Sequence, residues 1–182
     1  MSARDARASS AVIEGADGGV PSLDERGVFL LSQLGFHVAT RCAELLAPLG
    51  LQPPHYGVLM RLATDEGLSQ QQLADAMDVH RNVMVGLIDD LEAGDLVRRD
   101  RDPRDRRAHQ LHLTERAQAV LADANTAVDG LEEEIFAGLD PTERDRFVAL
   151  LHHATRRAQL PVGIHPGLRR RRRTNTPEAS AT

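Results

Sequence analysis

The chain has 182 residues, 22 basic against 27 acidic side chains for a net charge of −5, and only 3% aromatic residues with no tryptophan. That length allows one domain of about 140 residues with tails, and a core so poor in rings must rest on Leu, Val, Ala, Ile and Met, which favours packed helices over a β-sandwich. No run of 18 apolar residues occurs and the first residues form no apolar signal region, so neither a membrane protein nor an exported one is expected, and the place predicted is the cytoplasm.

Residues 1–20 mix Ser, Ala, Gly, Asp and Arg without periodicity and read as a disordered tail. A first helix is predicted from about Leu23 to Leu49, with Phe29, Leu30, Leu34, Val38, Leu45 and Leu46 in its apolar stripe. His37 and Arg41 lie four apart on it and so share a face. Cys42, the single cysteine, is expected as a reduced thiol that packs as a small hydrophobe. Pro53 or Pro54 opens a second helix near His55 and Tyr56, which runs through Val58, Leu59 and Leu62 until Gly67.

Ser69-Gln70-Gln71-Gln72 has the form of a capping box and opens a short third helix through Leu73, Ala74 and Met77. Across Asp78-Val79-His80 a fourth helix follows, from about Val79 to Ala93, with Met84, Leu87, Ile88 and Leu91 on one face. The opposite face carries Asn82, Val85, Gly86 and Asp89, with Arg81 at the start. Small and hydrogen-bonding residues there permit close approach to base edges, and two short helices so joined have helix-turn-helix form.

Gly94 ends that helix. Leu96–Arg99 and Gln110–Leu113 then read as paired strands, with Leu111 and Leu113 on one face. Between residues 98 and 107 stand six arginines against three aspartates, a local excess of +3 in an acidic chain. A basic site so concentrated points to nucleic acid more specifically than a basic whole would. Thr114 caps a fifth helix with Ala117, Val120, Leu121, Ala124, Val128, Leu131, Ile135 and Phe136 at helical spacing, and Asp140-Pro141-Thr142-Glu143 opens a sixth bearing Phe147, Leu150, Leu151 and Ala154. Residues 161–182, with five arginines at 169–173, read as a disordered tail that either adds non-specific DNA affinity or is merely solvated.

Leu91-Glu92-Ala93-Gly94-Asp95-Leu96-Val97-Arg98-Arg99, Asp102-Pro103-Arg104-Asp105-Arg106-Arg107 and Leu111-His112-Leu113-Thr114-Glu115 together resemble the signature of MarR-type transcriptional regulators. The likeness extends back through Leu51–Tyr56 and Leu68–Ala74 and covers roughly residues 24 to 160. It implies a mainly α winged helix-turn-helix with six helices and a two-stranded hairpin, dimerised through its N- and C-terminal helices. Residues 53–113 would form the DNA-binding lobe within a 21–160 domain, and 22–50 and 114–160 the dimerisation helices. It also implies that Arg107 enters the minor groove while Asp105 supports the wing. Asp95 departs from the pattern, in which a glycine-like or small residue is common at that place.

The expected partner is therefore double-stranded DNA, bound by a homodimer on a pseudo-palindromic operator with half-sites one turn, about 34 Å, apart. Gln70, Gln71, Arg99 and Arg104 are the candidate phosphate contacts, Arg81 and Asn82 the candidate base readers. In the family, small aromatic or phenolic acids lodge between the dimerisation helices and the DNA-binding lobe, so His37, Arg41, His55 and Tyr56 are candidates for an anionic aromatic effector. The competing assignment puts these histidines at helix ends or in the subunit interface. No zinc-protease, paired-cysteine, phosphate-loop or nucleophile-elbow motif occurs, so neither an enzyme nor a cofactor is expected. Two other classes stay open, a winged-helix module that binds protein and a metal-responsive switch using His37, Cys42 and His55.

Overall fold

The computed structural model describes residues 22–101 and 109–160. The chain divides into two units, one ending at Phe36 and the other beginning at His37. To the first belong a 3-10 turn, Leu23–Glu25, and the opening turns of helix α1, Gly27–Leu46. The second holds the rest of α1, a 3-10 turn at Ala47–Leu49, and α2 (Pro53–Thr64), α3 (Gln70–Ala76) and α4 (Arg81–Ala93). Strands β1 (Val97–Arg101) and β2 (His109–Leu113) follow, then α5 (Glu115–Phe136) and α6 (Pro141–Arg157).

The single first helix expected from Leu23 to Leu49 is thus broken at both ends. Arg26 is extended, which parts the first turn from α1. At the other end Pro48 has no N–H to donate and its ring would meet the carbonyl of Glu44, so the α-helix stops at Leu46 and Gly50 closes the segment at φ 71°. Helix α4 begins at Arg81 rather than near Val79, because Val79 still belongs to the turn, where its N–H bonds the Ala74 carbonyl.

The core of the second unit is aliphatic. Leu46 and Leu51 meet Val58, Leu59 and Leu62 of α2, Leu73 and Ala74 of α3, Met84, Ile88 and Leu91 of α4, and Ala117, Leu121 and Ala124 of α5. Each large side chain so buried contributes roughly 1.5–3 kcal/mol. Leu96, Val97 and Leu111 carry the sheet into the same cluster. The strands are antiparallel with Val97 opposite Leu113 and Arg99 opposite Leu111. Residues 67–69 lie along the other edge of β2, Leu111 donating to the Leu68 carbonyl and accepting from Gly67.

The terminal helices behave differently. In α1 only Leu46 is buried and Leu30 of the expected stripe is exposed, while α6 buries no residue at all. Helix α6 is opened by Asp140, whose carboxylate accepts from the Glu143 N–H at 2.9 Å while Glu143 accepts from the Asp140 N–H at 2.9 Å. Arg144 reaches back to Glu132 and Glu133 of α5 at 2.9 and 2.8 Å and lies over the Phe136 ring, which meets Phe147 edge-on at 5.9 Å.

Candidate nucleic-acid interface

The two short helices are set by capping chemistry. Ser69 Oγ accepts from the Gln72 N–H at 3.3 Å, and Gln72 Oε1 accepts from the Ser69 N–H at 2.8 Å. Met77 ends α3, and Asp78 turns the chain in the left-handed region at φ 48°. His80 then caps α4, its Nδ1 accepting from the Asn82 N–H at 3.2 Å. Since Met84, Leu87, Ile88 and Leu91 are buried, the opposite face of α4 is fixed outward, with Arg81, Asn82, Val83, Val85, Gly86 and Asp89 all exposed. Among the described residues, a Cβ on Gly86 would meet nothing from outside its own helix backbone within 4 Å, so that point of the face is open.

Helix α4 leaves through a tight turn. Gly94 has an ordinary φ of −80°, and the left-handed residue is Asp95, at φ 55°. The Thr114 hydroxyl, which also caps α5, donates to the Asp95 carbonyl at 2.7 Å and ties the turn to the far strand.

The structure distributes the sequence-predicted DNA contacts unevenly. Arg81 and Asn82 stand exposed at the start of α4. Gln71 is exposed but donates to Asp75 at 2.9 Å. Gln70 is half-buried, with its amide nitrogen shielded from solvent and, among the described residues, without a hydrogen-bond partner. Arg99 is half-buried, one guanidinium nitrogen on Asp89 and the other on Glu92, both of α4. Arg98 pairs with Asp100 at 2.9 Å. Arg104, Asp105 and Arg107 lie outside the described residues. Sequence reasoning missed the partners Asp89 and Glu92, whose signal is two carboxylates three apart at the end of a helix that feeds an arginine strand.

The four effector candidates have separate surroundings. His37 is exposed. Arg41 is held by Glu44 at 2.7 Å and by Glu134 of α5 at 3.5 Å; these two raise its pKa further, the Glu44 hydrogen bond most. His55 is buried, 7% exposed, with Nδ1 accepting from the Gln52 N–H at 3.3 Å and Nε2 lying 3.6 Å from Asp90 of α4. It therefore serves the start of α2, the helix-end alternative named above. Tyr56 donates to Asn125 Oδ1 at 2.8 Å, and burial first, then the charges of Asp129 and Cys42, push its phenol up. Burial likewise raises the Cys42 thiol. Among the described residues no group of three or more His, Cys, Asp or Glu is placed to hold a metal ion, so His37, Cys42 and His55 form no such site. No described helix is long and apolar enough to cross a membrane.

Comparisons with known proteins point the same way. A profile of the MarR family matches residues 49–108. The chain is 38% identical over 116 residues to a putative transcriptional regulatory protein for the hcr operon of Thauera aromatica, 63% of this chain and 70% of that one. The transcriptional repressor CouR, bound to a 23-mer DNA duplex, superposes with a TM-score of 0.65 at 30% identity, over 73% of this chain and 94% of that one. CouR from Rhodococcus jostii RHA1, bound to p-coumaroyl-CoA, superposes with a TM-score of 0.64 at 30% identity, over 80% of this chain and all of that one.

Proposed function

The chain belongs to the MarR family of transcriptional regulators, and we propose that it is a ligand-responsive repressor that grips a pseudo-palindromic operator as a homodimer. One observation carries this reading: α4 is anchored by four buried apolar residues and turns an exposed face of Arg81, Asn82, Val85 and Gly86 away from the core. A helix so presented enters a major groove with its first residues foremost, where Arg81 and Asn82 read base edges. Gln71 and Arg104 reach phosphates, and Arg107 reads the minor groove beside the lobe with Asp105 supporting it. Gln70 joins the phosphate contacts by turning its unsatisfied amide outward when DNA arrives.

A second copy of the chain is the partner that α1 and α6 call for, since their apolar residues remain in water here. The effector is an aromatic acid, free or as a thioester, in keeping with the ligand of CouR. Arg41 and Tyr56 are its best recognition groups: a carboxylate or phosphate competes with Glu44 and Glu134 for the guanidinium, and the phenol can exchange Asn125 for a ligand oxygen. His37 is accessible at the same helix; His55 acts only through the start of α2.

The test is selection from a random duplex library at about 150 mM salt, where non-specific attraction is suppressed. A two-fold symmetric motif with half-site centres about ten base pairs apart is expected. A well-folded protein that enriches no motif would refute the reading and favour a protein-binding module.

A further inference from the structure

We propose that Arg99 is a fixed counter-ion for the recognition helix rather than a phosphate contact: it neutralises Asp89 and Glu92 so that α4 can lie against DNA. The inference rests on the DNA-binding reading above. Asp89 follows Asn82 by seven residues, just short of two helical turns, so its carboxylate faces within about 20° of the direction Asn82 faces. Glu92 is one turn further along the flank of the same face. Both are exposed. A helix that turns two bare carboxylates toward a groove would be repelled by the phosphates on its walls, which lie within the Debye length of about 8 Å at physiological salt.

Arg99 resolves the conflict from the adjoining strand. It is held opposite Leu111 in the sheet and is half-buried, and its two terminal nitrogens are divided between Asp89 and Glu92. The planar fork suits this double engagement, which a lysine ammonium on a flexible stem would hold less well. With both terminal nitrogens engaged by carboxylates, a phosphate that clamped them in bidentate fashion would displace at least one ion pair and leave that carboxylate uncompensated beside the DNA. The pairing also fastens the base of the wing to the helix, so that helix and wing meet the duplex as one piece.

Binding of a duplex selected by the wild-type protein, followed by fluorescence anisotropy, separates the two roles. Arg99→Ala is expected to weaken binding about tenfold, roughly 1.4 kcal/mol. The double variant Asp89→Asn/Glu92→Gln should bind within about threefold of wild type, and adding Arg99→Ala to it should leave affinity near that level, because no charge then needs neutralising. Thermal melts accompany each variant; the triple variant carries no unpaired charge, so it remains informative even where Arg99→Ala alone melts. A triple variant as weak as Arg99→Ala would make Arg99 a direct DNA contact and overturn the proposal, as would an Arg99→Ala protein that binds normally. A wild-type protein that binds no duplex would sink the DNA reading and this role with it, a result distinct from a wild-type protein that binds while the triple variant stays weak.

Discussion

Replacing Gly86 by alanine should make the protein more stable and a poorer DNA binder at once. Gly86 sits in the interior of the 13-residue helix α4, where glycine costs about 0.8–1.0 kcal/mol relative to alanine through the backbone freedom it loses on folding. Usually such a glycine is retained because a side chain would collide with something. Here, among the described residues, an added Cβ meets nothing beyond its own helix backbone within 4 Å, so Gly86→Ala should gain nearly the whole amount. For a chain of this size that is a rise in Tm of roughly 2–4 °C, measured at fixed protein concentration. The same methyl stands near Asn82 on the outward face, where bases must come close. Holding the helix off by a methyl should cost about 1.4 kcal/mol per half-site, a tenfold loss, doubled in free energy on a two-fold operator. Urea midpoints and anisotropy titrations on one preparation give both numbers. Unchanged stability would mean that the α4 face is not open as described; a gain in stability with unchanged affinity would remove Gly86 from the face that DNA approaches.

Asp95 holds a left-handed backbone that side chains disfavour, so Asp95→Gly should stabilise by several tenths of a kcal/mol and Asp95→Val should destabilise by about 1–2; equal denaturation midpoints would refute the strain. Burial raises both the Cys42 thiol and the Tyr56 phenol, and a raised acid contributes stability that is complete below its unfolded pKa and lost as pH climbs through the folded one. Tm should thus hold steady to about pH 8.5 and fall beyond it, Tyr56→Phe with Cys42→Ala flattening the fall, and Cys42 should react slowly with iodoacetamide at pH 7; rapid labelling would contradict its burial. Arg107→Ala should weaken operator binding by about 1–3 kcal/mol and lower its salt dependence, and unaltered affinity would take the wing out of the mechanism.

The parts legible in the sequence were those governed by short-range rules. Ser69 with Gln72, Thr114, and Asp140 with Glu143 cap α3, α5 and α6 as their spacing predicts, because a capping box is closed within four residues. The 3.6-residue period of Met84, Leu87, Ile88 and Leu91 likewise announced which face of α4 is buried. Polar partners across the fold were not legible. Tyr56 finds Asn125, 69 residues on, and Arg41 finds Glu134; nothing local distinguishes that glutamate from its neighbours Glu132 and Glu133, which Arg144 takes instead. Arginine in a basic hairpin reads as a phosphate contact, and the carboxylates that hold Arg99 sit seven and ten residues earlier on a different element, beyond any local pattern. The turn after α4 shows a subtler limit: a glycine at position 94 suits the residue that the turn requires, yet the positive φ falls one place later, on Asp95.

The uncovered helices bear on how such a protein is switched. Val28, 83% exposed, and Leu150, 59% exposed, stand in water together with Leu23, Leu30, Leu31 and Phe36. Covering these six on both copies of a two-fold dimer would contribute roughly 11–23 kcal/mol, twelve side chains each gaining about two-thirds of the 1.5–3 kcal/mol that full burial is worth. Association costs on the order of 4–15 kcal/mol in lost freedom, so the proposed dimer rests on a modest surplus and its geometry is adjustable. Carrying such a dimer almost completely from one arrangement to another needs only about 5.5 kcal/mol of differential affinity. In the proposed effector site, Arg41 would deliver it, since it joins α1 to α5 through Glu134. An anion that takes the guanidinium from that glutamate loosens a helix of the proposed interface without touching α4. In the proposed dimer the distance between the two recognition helices would then change while each stays folded and competent, so an effector would lower affinity for the two-site operator far more than for an isolated half-site.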